Sequence, residues 1–346
     1  MVEGACVHRR GQEVRLNRPI PVESGRMRAM PSLQKRLFCL LLAGLLLPCG
    51  LQAACLQGET KPTEETARTK GLFARVAVIG ASVSAGYGLQ TDLKAKVKLG
   101  DIVECLVEGE GEDGLDLGSN MLFRSPKTVG ADQVDAALLH KPTLVIAVDF
   151  LFWFAYGRSG GSTQDRVERV DEALALLDRF KCPILVGDIP DMSMALKGKG
   201  PFGFPLITRN MIPPEPARVA INKHLQKWAK ARPRVTIAPL SEFLETVQSG
   251  GTLKVRGNKW SGKDLDSMLQ QDLLHPRPQG TLSLLILALD RLADSNDQVS
   301  DQICWDSDLA LKRLLESTLE ERTRYEAALK RREERRAERE KKRQDG

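Results

Sequence analysis

The sequence predicts an α/β protein: a three-layer α/β/α sandwich built on a doubly wound, five-stranded parallel sheet. Three observations predict it. From residue 74 onward, short β-branched apolar runs alternate with longer amphipathic stretches. The runs are apolar almost throughout, as strands covered on both faces are. The stretches between them place apolar residues three and four apart, which is the helical period.

Taken in order, RVAVIGA (75–81), DIVECLV (101–107), PTLVIAVDF (142–150), PILVGD (183–188) and RVTIAPL (234–240) are the predicted strands. Each is short and bounded by Gly, Pro or polar residues. The predicted helices are GADQVDAALLH (130–140), STQDRVERVDEALALLDRF (162–180) and EPARVAINKHLQKWAKA (215–231). QGTLSLLILALDRLAD (279–294) is a closing helix with one buried side. In a doubly wound sheet, ligands bind at the carboxyl ends of the strands.

Residues 74–305 therefore form the expected globular domain, preceded by a linker over 55–73. Residues 306–346 are a charged tail, expected to be a solvated helix fraying into disorder, because no apolar stripe continues past Leu329. That tail also explains the charge. The net charge is +6, but from Leu311 to the end there are 13 Lys and Arg against 9 Asp and Glu, which leaves the domain nearly neutral. With aromatic residues at 5% and no basic groove interleaved with them, nucleic acid is not an expected partner.

The N-terminal region carries an address. Lys35 and Arg36 precede an apolar run from Leu37 to Leu47, followed by Pro48, Gly50 and small residues. This is the order of a secretory signal, with an apolar run too short to span a bilayer. Residues 30–54 are thus an expected signal peptide, cut after Ala53 or Ala54, and 1–29 an upstream extension. The expected location is exported, periplasmic or secreted. The alternative is a lipoprotein anchored through Cys55, the one route by which a membrane partner is expected. Cys55, Cys105, Cys182 and Cys304 are scattered without a CxxC pair, so neither a metal site nor a redox motif is expected.

The chemistry concentrates at the end of the first run, where Gly80-Ala81-Ser82-Val83-Ser84-Ala85-Gly86 follows the strand. No Lys follows for a phosphate loop, and the glycines do not fit the dinucleotide pattern. Ser84 occupies the second glycine position of the nucleophile elbow G-x-S-x-G. What remains is a serine on a strand-to-helix turn, which reads either as a turn residue or as a nucleophile. His8, His140 and His224 read as surface or capping residues. His275, in QQDLLHPRPQG, has Asp272 three residues before it and Pro276 after it, which favours a loop. A carboxylate there can hold one ring nitrogen and leave the other outward, as a serine's base requires.

VIGASVSAGYG resembles the GDSLxxGxG block of the SGNH/GDSL hydrolase superfamily, and DLLHPRPQG resembles its closing DxxHPxxxG block. The resemblance covers about residues 74–292. It implies that Ser82 is the nucleophile, His275 the general base and Asp272 the residue that orients it. It further implies ester or thioester hydrolysis through an acyl-serine, with no cofactor and no metal, acting on a small-molecule or carbohydrate ester.

The sequence also departs from that family. Ala81 replaces the Asp of GDS. Where the family has the oxyanion-binding Asn of GxND, this chain has Asp149, which either faces the oxyanion and opposes it or accepts from the backbone of the first block. Gly118 is the expected amide donor of the second block, with Asn120 as a substitute donor. FLFWFAYG (150–157) is either an acyl wall or buried packing. The insertion FGFPLITRNMIPPEP (202–216) either shapes the site or wanders over the surface. These departures keep a catalytically silent binding protein open as an alternative, and the same triad would equally serve an acyltransferase.

Overall fold

Val76–Val78 (β1), Leu115–Asp116 (β2), Leu144–Ala147 (β3), Ile184–Gly187 (β4) and Val235–Ala238 (β5) form one parallel sheet in the order β2-β1-β3-β4-β5. The structure is a computed structural model that describes residues 71–344, apart from 110, 112, 113, 158, 159 and 264. The signal, the upstream extension and Cys55 lie outside the described residues. Register runs straight across the sheet, with Ala77 opposite Val145, Val145 opposite Ile184, and Ile184 opposite Val235. The chain leaves β1 in one direction to β2, then crosses to the other side for β3. The crevice outside the carboxyl ends of β1 and β3 is therefore the topological switch point, where such sheets bind ligands.

The helices are Leu89–Leu93 (α1), Leu99–Leu106 (α2), Pro126–His140 (α3), Phe152–Tyr156 (α4), Thr163–Leu177 (α5), Glu215–Lys230 (α6), Leu240–Gln248 (α7), Leu265–Met268 (α8), Pro278–Ala293 (α9), Asp297–Ser300 (α10), Ser307–Ser317 (α11) and Leu319–Gln344 (α12). The pleat sorts the strand residues between two cores. Ala77, Val145, Ala147, Ile184 and Val186 face α3, α5 and α6. Val78, Leu144, Ile146 and Leu185 face α2, α9 and α11. Each large apolar side chain removed from water in these layers contributes about 1.5–3 kcal/mol. The expected three-layer sandwich is therefore present, with its sheet covered on both faces.

Two expectations of the sequence differ from the structure, one strand and the burial of the closing helix. DIVECLV is helix α2, not a strand. Leu99, Ile102, Val103 and Leu106 are buried at helical spacing, and the Asp101 carboxylate caps the Lys98 N–H at 2.8 Å. The second strand is instead the two-residue Leu115–Asp116. Helix α9 is buried on nearly all sides rather than one, because α11 and an antiparallel hairpin, Thr252–Val255 (β6) with Asn258–Ser261 (β7), also pack against it. Its Thr281 and Ser283 hydroxyls donate back to helix carbonyls, so no polar group there is stranded. The tail is helical as far as Gln344: Ala310 and Leu314 dock α11, and α12 stands exposed.

Arg166 shows how one buried cation can hold an irregular segment. Only 2% exposed, its guanidinium donates to the carbonyls of Ala155, Tyr156 and Met211 from one nitrogen and of Asn210 from another. It thereby satisfies the end of α4 and pins the insertion to it. Arg166→Met should destabilise the fold by about 3 kcal/mol or more, because these buried carbonyls lose their donor. Arg166→Lys should restore little, since an ammonium cannot reproduce the planar fork. Chemical denaturation of the three proteins measures both effects.

Candidate active site

The turn after β1 is organised from the neighbouring strand. Asp149, just past β3, accepts hydrogen bonds from the N–H groups of Ala81 (2.9 Å), Val83 (2.8 Å) and Ser84 (3.2 Å), and from the Ser84 hydroxyl (2.6 Å). Burial pushes its carboxyl above the ordinary value, and these four donors hold it down against that push. So close an approach requires glycine at 80, where a Cβ would sit 2.0 Å from the carboxylate. On the other side, Gln133 accepts from the Gly80 N–H and donates to the carbonyls of Gly80 and Leu117. Of the amides from Ala81 to Ser84, that of Ser82 alone is left by the carboxylate. Among the described residues neither that N–H nor the Ser82 hydroxyl has a hydrogen-bond partner.

The second loop precedes α9. Asp272 Oδ1 accepts the N–H groups of Leu274 (2.9 Å) and His275 (3.0 Å), and Oδ2 lies 2.8 Å from His275 Nδ1. Leu273 takes a left-handed conformation, φ +53°, to let the carboxylate fold back. That pairing assigns the ring proton to Nδ1 and leaves Nε2 as the acceptor. Nε2 is buried and has no partner, in a residue only 3% exposed. Burial alone would raise the Asp272 carboxyl, but the His275 ring, through its hydrogen bond and its charge, brings it below the ordinary value with help from the two amides.

The two loops are joined side to side. Gln270 donates to the carbonyls of Tyr87 (2.7 Å) and Pro276 (3.0 Å), and the Tyr87 ring packs on the His275 ring at 4.3 Å between centroids. Arg277 pairs with Asp92 at 2.6 Å. Ser82 and His275 consequently line one cavity of about 60 Å³ at the switch point. Its wall is otherwise mostly apolar, including Val148, Met192, Leu240, Phe243 and Leu284. No hydrogen bond joins Ser82 to His275. A larger cavity, about 390 Å³ between α2 and β2, contains neither residue.

The remaining sequence candidates fall elsewhere. The Gly118 N–H is not free to bind an oxyanion, because it donates to Asp116 Oδ1 at 2.8 Å. Gly118 lies instead against the backbone of the serine turn, where a Cβ would come within 2.5 Å of Ser84. Asn120 begins an exposed turn, Asn120–Phe123, and does not line the cavity; its neighbour Ser119 donates to Gly80 O at 3.0 Å. Phe152 of FLFWFAYG does reach the cavity, while the insertion 202–216 does not line it. Sequence reasoning missed Gln133, Gln270 and Tyr87. All three stand in stretches quoted from the sequence, but no local pattern there marks them as part of a site.

The chain thus has a doubly wound three-layer α/β/α fold, with the serine turn after β1 and the Asp-x-x-His loop ahead of α9. No protein-family model matches the chain, and no curated protein is similar to it in sequence. Two solved structures overlay on it. One, described as TesA, is 18% identical with a TM-score of 0.39, over 64% of this chain and 99% of that one. The other, a candidate acylhydrolase from Bacteroides fragilis, is 10% identical with a TM-score of 0.38, over 68% and 92%.

Asp149→Asn should lower both stability and ester turnover, with a stability loss of about 2–3 kcal/mol. The amide offers one acceptor and turns its own N–H groups on amides that need a carboxylate. Thermal unfolding and turnover measured together check this; a gain in turnover contradicts it. Asp272 contributes stability with the opposite sign to a buried acid held neutral. Its folded carboxyl lies below the ordinary 3.8, so the contribution is complete above that value and is lost as pH falls through the folded one. The stability difference between wild type and Asp272→Asn should be flat above about pH 4 and shrink below it in acid denaturation series.

Proposed function

We propose that the chain is a serine hydrolase of SGNH type that cleaves a carboxylic ester through an acyl-serine intermediate. The observation that carries the reading is one cavity holding Ser82 and the unpartnered Nε2 of a histidine already oriented by a buried carboxylate. Substrate entry brings the carbonyl carbon to Ser82 Oγ. As the oxygen attacks, His275 Nε2 takes its proton, and Asp272 stabilises the imidazolium without accepting a proton itself. The tetrahedral oxyanion is met by the Ser82 N–H, the amide that Asp149 leaves free. Collapse expels the alcohol with the proton from His275. Water then repeats the sequence on the acyl-serine and regenerates the hydroxyl.

The small apolar cavity favours a short acyl group, and an ester of a small molecule or a carbohydrate is the substrate class we assign. Residues 30–54 assign the protein to the exported fraction, with the anchored form through Cys55 as the alternative.

Turnover of short-chain nitrophenyl esters tests the reading. Ser82→Ala and His275→Ala should each remove nearly all activity without loss of folding. The double variant should be scarcely worse than either single one, as for residues acting in one unit. Independent, multiplicative losses at Ser82 and His275 would overturn the unit, and binding of the esters without any turnover would favour a silent binding protein.

A further inference from the structure

The segment from Ser193 to Pro214 is the part of the domain that hydrolysis leaves without a role. It contains Lys197, Lys199 and Arg209 and no Asp or Glu. At its centre Phe202 is 88% exposed and Phe204 73% exposed. Single exposed apolar residues are ordinary, but two aromatic rings on one projecting tip mark an interaction surface. The tip is built rather than loose. Gly200 N–H donates to Phe204 O and Gly203 N–H to Gly200 O, both at 2.9 Å, with Pro201 and Pro205 bracketing the rings. Beneath it, Ile207 is buried in the core, and Arg166 holds Asn210 and Met211. Lys197, Lys199 and Arg209 are exposed, and none has an ion-pair partner among the described residues.

We propose that this tip docks on an anionic phospholipid surface, with Phe202 and Phe204 entering the interfacial layer and the three cations meeting headgroup phosphates. Apolar rings at an apex flanked by unpaired cations complement a surface that is anionic outside and apolar beneath. A second copy of the same tip would instead set like charges together. No helix among the described residues is long and apolar enough to cross a membrane. The tip is also grafted to the histidine loop. Gly198 lies against the Asp272 carbonyl, where a Cβ would clash at 1.9 Å, and Lys199 N–H donates to Gln271 O at 2.7 Å. Docking therefore sets the cavity of Ser82 and His275 beside the lipid surface. The docking itself does not depend on the hydrolase reading.

Co-sedimentation of the full chain, in a Ser82→Ala background so that no lipid can be turned over, tests the proposal. Vesicles of phosphatidylcholine with phosphatidylglycerol are compared with phosphatidylcholine alone. Phe202→Ser with Phe204→Ser should weaken binding to the anionic vesicles by about 10-fold or more. Lys197→Gln with Lys199→Gln should weaken it too, and added salt should weaken the wild type. All the changed residues are exposed, so thermal unfolding should be unaltered, and any N-terminal contribution is common to every variant. Equal sedimentation of the phenylalanine variant and the wild type would overturn the proposal. So would a concentration-dependent dimer that the serine substitutions abolish while vesicle binding stays unchanged.

Discussion

The carboxylate of Asp149 is the constraint on which the rest of the site depends. Sited just beyond β3, it gathers three amides and a hydroxyl from the turn beyond β1. A buried carboxylate is tolerated only with such donors, and a turn with three inward amides is tolerated only with such an acceptor. Each requirement answers the other. The outcome is a serine turn whose geometry is set by the sheet itself, with Gly80 making room and Gln133 closing the far side.

That arrangement also explains why the serine sits where its chemistry is possible. The carboxylate takes the amides on either side of Ser82 and leaves the one between. The histidine loop is then registered against the turn by Gln270, by the stacked Tyr87 ring and by the Arg277–Asp92 pair. Ser82 and His275 come from opposite ends of the domain, so only such cross-links can keep them at one cavity. Positioning on rigid elements, more than any single contact, is what would make the pair reactive.

Much of this was legible in the sequence, and what was not has physical reasons. β1, β3, β4 and β5 could be read because strands buried on both faces are continuously apolar. β2 could not, because two residues carry no period, and β-branched residues in DIVECLV imitated a strand while its 99, 102, 103, 106 spacing was helical. Ser82, Asp272 and His275 stood in motifs local in sequence, so their pairing could be expected before any coordinates. Gly118 was expected to offer a free amide, but Asp116 two residues earlier takes it. Gln133 and Gln270 act across elements far apart in the chain, and nothing local distinguishes them from other glutamines. Arg166 was hidden for the same reason: it lies in an ordinary amphipathic helix, and its carbonyl partners are assembled only by the fold.

The most direct measurement is labelling of the purified protein with a fluorophosphonate, followed by mass spectrometry of the peptides. The account predicts one adduct, on Ser82, formed rapidly in the wild type and lost or greatly slowed in His275→Ala. Labelling at another residue, or no labelling of a correctly folded protein, would contradict it.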